Sequence, residues 1–150
     1  MNPLLIIALL LVSGLSQAQL LIENAHVRAM PPGQPNTAAF LRVTNQGDEE
    51  IRLIEAFTPA SKKAEFHSHS KGENGMMRMQ KEQCVDIPAG ETFVFKTGGF
   101  HIMIMGLHKP LMPGEKIDMT LEDSNGKQYP FSLPVVSIMN ENTNQDHSHH

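Results

Sequence analysis

From Leu20 to Val136 the chain runs in short stretches of alternating or uniformly apolar residues, broken by Gly, Pro, Asn and Asp. Period-two alternation marks half-buried strands, because successive side chains of a strand point to opposite faces. The pattern predicts strands over Leu20–Arg28, Thr37–Thr44, Ile51–Thr58, Ala64–His69, Met76–Gln80, Thr92–Lys96, His101–Leu107, Lys116–Glu122 and Tyr129–Val135. Between them lie turn-forming clusters such as Pro31-Pro32-Gly33, Asn45-Gln46-Gly47-Asp48, Gly72-Glu73-Asn74-Gly75, Pro88-Ala89-Gly90, Thr97-Gly98-Gly99, Pro113-Gly114 and Ser124-Asn125-Gly126. Helix-period segments are hard to find. Short strands with turns at this spacing predict a single all-β domain, a sandwich or barrel.

The two ends break the rhythm. Leu4–Val12 is apolar and uncharged, and Ser16-Gln17-Ala18 offers small residues where a signal peptidase cuts. Residues 1–18 are therefore expected to be a signal peptide cleaved after Ala18, although no Lys or Arg precedes the apolar run. A membrane anchor would need about 20 apolar residues to span a bilayer, more than this run supplies. No Cys follows the small residues, which speaks against a lipoprotein. Residues 19–139 form the expected folded domain. Residues 140–150 are polar, end in a His-rich tract and are expected to be a disordered tail.

Charge and composition narrow the function. The net charge is −4, with acidic and basic residues interspersed, so the clustered Lys/Arg footprint of a nucleic-acid binder is missing. Export leads to an oxidising compartment. A lone cysteine, Cys84, cannot close an internal disulfide, so packing must supply the stability. Cys84 sits beside Val85 and Ile87 in what reads as a further strand, and a structural role is expected. Methionine is abundant, with ten in the chain and five between Met76 and Met105. A thioether neither pairs into disulfides nor has to lose a proton to bind a metal, though it can be oxidised to the sulfoxide.

Four residues stand out as candidate metal ligands: His67, Met79, His101 and Met103. A thioether is a soft donor that suits Cu(I), and imidazole also binds copper. Alternation along His101–Leu107 puts His101, Met103 and Met105 on one face, with His101 and Met103 roughly 7 Å apart at Cα. Against this, a lone Met in a strand is ordinarily filler. Met30, Met76, Met77, Met105, Met112, Met119 and Met139 are read that way, and His26 and His108 as structural or surface residues. His69, two residues from His67 on the same strand face, is a secondary candidate, especially for Cu(II). His147, His149 and His150 are another, able to capture Cu(II) loosely. Composition alone does not select four ligands from eight His and ten Met.

The spacing does more. From His67 onward the chain resembles the periplasmic copper chaperones called PCu(A)C. Their hallmark is a His with an optional Met after it, ten residues, a Met, twenty-one residues, then His-x-Met. Here His67-Ser68 is followed by ten residues to Met79, twenty-one to His101, then Ile102 and Met103. Ser68 takes the optional Met position. Ala25-His26-Val27-Arg28-Ala29, Ile87-Pro88-Ala89-Gly90 and Gly98-Gly99-Phe100-His101-Ile102-Met103-Ile104-Met105-Gly106-Leu107 also resemble the family, which usually carries an aromatic residue at the position of His26. The resemblance implies a cupredoxin-like fold and one Cu(I) held by His67, Met79, His101 and Met103. It also implies delivery in the periplasm to the copper-bearing subunit of cytochrome c oxidase, often alongside a thioredoxin-like copper protein.

Three rival readings are weighed. An electron-transfer cupredoxin needs a Cys thiolate close to its His and Met ligands, whereas Cys84 lies seventeen positions before His101. An enzyme would need acid–base groups or a nucleophile motif. Asp86, Glu91 and Asp118 read as turn or surface residues, and no Gly-x-Ser-x-Gly is present; the chain is expected not to be an enzyme. Copper buffering or resistance without a dedicated acceptor shares the same site and stays as the alternative function.

Overall fold

A computed structural model of the chain describes residues 19–139. The expected signal peptide at 1–18 and the tail at 140–150, with His147, His149 and His150, lie outside the described residues.

Ten strands follow in order: β1 Leu20–Arg28, β2 Asn36–Asn45, β3 Ile51–Phe57, β4 Ser61–Lys71, β5 Met77–Glu82, β6 Val85–Ile87, β7 Thr92–Phe95, β8 His101–Leu107, β9 Lys116–Asp123 and β10 Gln128–Val136. Seven of them close a barrel in the spatial order β4-β8-β2-β1-β10-β9-β3. The seam is the contact of β3 with β4, where Ala56 faces Ala64. Small side chains there let the two strands meet. β5 extends the sheet beyond β4, β6 pairs with β3, and β7 pairs with β2. Only β1 and β10 run parallel, with Val27 opposite Val135.

Alternation decides which side chains fill the barrel. On β8, Ile102 and Ile104 are fully buried inside, and on β4 Phe66 joins them. Their register partners confirm the facing: Phe66 lies opposite Ile102 and Ala64 opposite Ile104. Val27, Leu41, Val43, Leu53, Phe95, Met119, Leu121 and Leu133 belong to the same core. Burying a Val-, Leu- or Phe-sized side chain stabilises by roughly 1.5–3 kcal/mol, so this interior holds the domain without a cross-link.

The predicted strands are all present, and those over Leu20–Arg28 and His101–Leu107 have the expected bounds. β4 is longer than expected, running from Ser61 to Lys71. Cys84 precedes β6 and is half-buried. Met119 is core, whereas Met76, Met77, Met112 and Met139 are exposed. Among the described residues no helix is long and apolar enough to cross a membrane.

Two buried polar residues tie the turns to the barrel. Asn45 donates from Nδ2 to the carbonyls of Glu49 and Ile87 and accepts from the amide of Gly47, which pins the β2–β3 turn to β6. Asp123 accepts from the amides of Asn125 and Lys127 through Oδ1 and from the Tyr129 hydroxyl through Oδ2 at 2.8 Å. Burial and the neighbouring Asp123 hold the Tyr129 phenol above its ordinary range.

Candidate metal centre

The outward face of β5, β4 and β8 carries the chemistry. Two turns aim these strands. The β4–β5 hairpin closes where the Gly72 amide donates to the Met76 carbonyl, with Gly75 at φ 74°. A residue with a Cβ rarely adopts that φ, so glycine suits the turn. The turn Thr97-Gly98-Gly99, closed by the Gly99 amide donating to the Lys96 carbonyl, starts β8 at His101.

Register then brings the candidates together. His67 faces His101 across β4 and β8, Glu65 faces Met103, and His69 faces Met79 across β4 and β5. Directly paired residues share a face. His67, His69, Met79, His101 and Met103 therefore occupy one outward patch on three adjacent strands, spaced about 4.8 Å apart. The His101 ring centroid is 6.0 Å from that of His67 and 5.1 Å from that of His69. Ser68 alternates to the other face, where its hydroxyl donates to Glu82. The optional Met position is thus directed away from the patch, and the serine there leaves the four candidates undisturbed.

A cavity of about 320 Å³ opens over this face. Met79, His69, His101 and Met103 line one side; Arg28, Ala38 and Phe40, from β1 and β2, line the other. The Arg28 guanidinium stacks 4.7 Å from the Phe40 ring centre and donates to the Thr97 hydroxyl at 2.9 Å, giving that wall a fixed shape. Met30 also reaches the cavity. His101 is only 3% exposed, while Met79 is 47% exposed, so the site has a buried imidazole floor and a solvent-facing thioether edge. Burial, more than the nearby His69, His67 and Arg28, pushes the His101 pKa down. Burial thus favours the neutral ring, the form that carries a free lone pair.

His67 lies beside the cavity but does not line it; its place there is taken by His69, the secondary candidate. The His67 Nε2 is 2.8 Å from Glu65 Oε2, and its Nδ1 is buried without a hydrogen-bond partner among the described residues. Glu65 is itself held by Lys63 Nζ at 2.6 Å and Lys81 Nζ at 3.3 Å. These partners, Lys63 first and then His67, lower its pKa to about 2. Such a depressed carboxyl adds stability above its ordinary pKa, and that stability drains away as pH falls from about 4.5 toward 2.

Glu65 and Met30 are the residues that sequence reasoning missed. Glu65 had a faint signal, two positions before His67 and hence on the same strand face. Met30 had none, because its approach depends on how β1 leads into the loop before β2. His26, read as a structural or surface residue, lies 5.5 Å from the Phe40 ring at a tilt of 38° and accordingly sits beside the cavity wall.

Comparison with known proteins places the fold and the family. The model of the LpqE-like lipoprotein family matches residues 20–135. The chain is 36% identical over 124 residues to Lxx21020 of Leifsonia xyli subsp. xyli (strain CTCB07), described as a lipoprotein, covering 82% of this chain and 73% of the relative. The copper-bound PCuAC domain from PmoF2 has the same fold, with a TM-score of 0.67 at 20% identity over 81% of this chain and 96% of that one. Apo-DR1885 from Deinococcus radiodurans matches with a TM-score of 0.62 at 31% identity, over 81% of this chain and 80% of that one. DR1885 is also solved in a CuI form, at TM-score 0.58 and 30% identity over the same shares.

Proposed function

The chain belongs to the LpqE-like family, and from that premise we propose that it is an exported copper carrier, holding one Cu(I) through His67, Met79, His101 and Met103. The single observation that carries this reading is the register: it sets two imidazoles and two thioethers on one outward face of β5, β4 and β8. Neutral nitrogen and sulfur donors suit a soft monovalent ion, whereas hard divalent ions call for carboxylates. The structures of the copper-bound PCuAC domain from PmoF2 and of DR1885 in its CuI form support the same cargo.

The role is carriage rather than catalysis. The exposed Met79 edge lets an acceptor's ligands displace the donors one at a time, while the buried His101 keeps its hold until last. His69, whose ring lies nearer to His101 than that of His67, is an additional donor available when Cu(II) is presented. The His tail at 147–150 serves as a loose outer capture site for Cu(II). The acceptor that the family resemblance supplies is the copper-bearing subunit of cytochrome c oxidase, reached in the periplasm with a thioredoxin-like copper protein. The lipoprotein description of the family supports export.

Cu(I) competition against a chromophoric chelator tests the site. Protein beginning at Gln19 is expected to bind one tight Cu(I) per chain and to keep it when the chain ends at Asn140. Loss of that binding on truncation would move the main site into the tail. Deleting the gene tests the role: lost oxidase activity at low copper supports delivery, and copper sensitivity alone would replace delivery with buffering.

A further inference from the structure

A metal-bound imidazole uses one ring nitrogen, and the other N–H is ordinarily held by a carbonyl or carboxylate that fixes the tautomer. Both facing histidines of the patch have such a partner, but on opposite nitrogens. His101 Nδ1 lies 3.1 Å from the Gly99 carbonyl oxygen. A carbonyl only accepts, so Nδ1 carries the proton and Nε2 the lone pair. In His67 the order is reversed. Its Nε2 lies 2.8 Å from Glu65 Oε2. Lys63 and Lys81 flank that carboxylate, so it too is an acceptor only. Nε2 therefore carries the proton, and in the neutral ring the lone pair is on Nδ1. That Nδ1 is buried and has no hydrogen-bond partner among the described residues, although a buried polar atom left unpaired costs about 1–3 kcal/mol. A nitrogen stripped of water, with its tautomer fixed and its lone pair free, is arranged for a ligand other than a hydrogen-bond donor.

We propose that Glu65 is a positioning residue for the metal site: it locks His67 in the Nε2–H tautomer and presents Nδ1 to the ion, while His101, locked by Gly99, presents Nε2. The inference rests on the copper reading above and adds to it the identity of the coordinating atoms. It also gives a role to a residue outside the His/Met spacing. Because Glu65 faces Met103 in the register, the same strand position serves both ligands. The two lysines have their own part, neutralising the carboxylate so that its charge does not draw a harder ion into the cavity.

Long-range proton–nitrogen correlation spectra of 15N-labelled protein at pH 8, without metal and then loaded with Cu(I), test the assignment. Cu(I) is diamagnetic, so both states are observable. Without metal, His67 is expected as the Nε2–H tautomer and His101 as the Nδ1–H tautomer. On loading, the nitrogens that shift are expected to be Nδ1 of His67 and Nε2 of His101. Glu65→Ala is expected to mix the His67 tautomers and weaken Cu(I) binding about 10–100-fold. Glu65→Gln, which keeps an acceptor oxygen, is expected to preserve both the tautomer and most of the affinity. An Nδ1–H tautomer of His67 in the metal-free wild type overturns the proposal, as does a loading shift at its Nε2. So does a folded Glu65→Ala variant with unchanged tautomer or unchanged affinity. The wild-type spectra decide the matter even if that variant does not fold. If the wild type takes up no Cu(I), the copper reading fails, whereas the metal-free tautomers are read independently of it.

Discussion

His101→Ala is expected to lower Cu(I) affinity by at least about a hundredfold, which corresponds to about 2.8 kcal/mol. Partners one shell away from a metal typically change affinity 10–100-fold, so a ligand at the centre of the site should exceed that range. His101 is the centre by three observations. It faces His67 in the register, its ring is the neighbour of both His67 and His69, and it is the buried floor of the cavity. Its lowered pKa adds a pH signature. Because protonation is what would release an imidazole from a metal, a depressed pKa keeps the ligand in place to lower pH. Binding through His101 is therefore expected to persist to lower pH than a solvent-exposed imidazole would allow. The side chain points out of the barrel, opposite to Ile102 and Ile104, so the core remains and the variant should stay folded. Met79→Leu and Met103→Leu are the matched controls. They exchange sulfur for carbon at nearly constant volume, and each is expected to weaken Cu(I) binding while leaving circular dichroism unchanged. Chelator competition on the three variants checks this. Wild-type affinity in His101→Ala would remove the residue from the site.

Asp123→Ala is expected to destabilise the fold by about 3 kcal/mol, the range for breaking a buried hydrogen-bond network, and to lower Tm by about 10 °C. Asp123 is 3% exposed and accepts three hydrogen bonds. Two of them hold the turn between β9 and β10, and the third satisfies the buried Tyr129 hydroxyl. Alanine leaves that hydroxyl and two amides without an acceptor. Tyr129→Phe in the Asp123→Ala background removes one of those stranded groups, so the double variant should lose less than the sum of the two singles. Thermal melts of the four proteins give the comparison. Additive losses would mean that the Tyr129–Asp123 pair contributes no coupling. The test is apt for this chain, because with Cys84 alone no disulfide backs up the β9–β10 hairpin.

Most of the strand content was legible locally. The alternation of His101, Met103 and Met105 with Ile102 and Ile104 gave both the bounds of β8 and its two faces, since strand period depends only on neighbouring residues. Val85–Ile87 was visible only through its two flanking apolar residues, being too short for a period to declare itself. Closure of the barrel at Ala56 and Ala64, and the attachment of β5, β6 and β7 outside it, are pairings between distant segments that no local pattern encodes. The same limit applies to the candidate site. The spacing of His67, Met79, His101 and Met103 identified residues that the register does set on one face. The sequence did not say that His69, through its pairing with Met79, would line the cavity while His67 turned to Glu65. That difference comes from how β5 slides along β4, a register fixed by the Gly72–Met76 turn.

X-ray absorption at the copper edge, on Cu(I)-loaded protein spanning residues 19–139, goes straight to the donor atoms. Two sulfur and two nitrogen neighbours around a monovalent ion are the predicted shell. A shell of nitrogen and oxygen alone, with no sulfur at bonding distance, would contradict it.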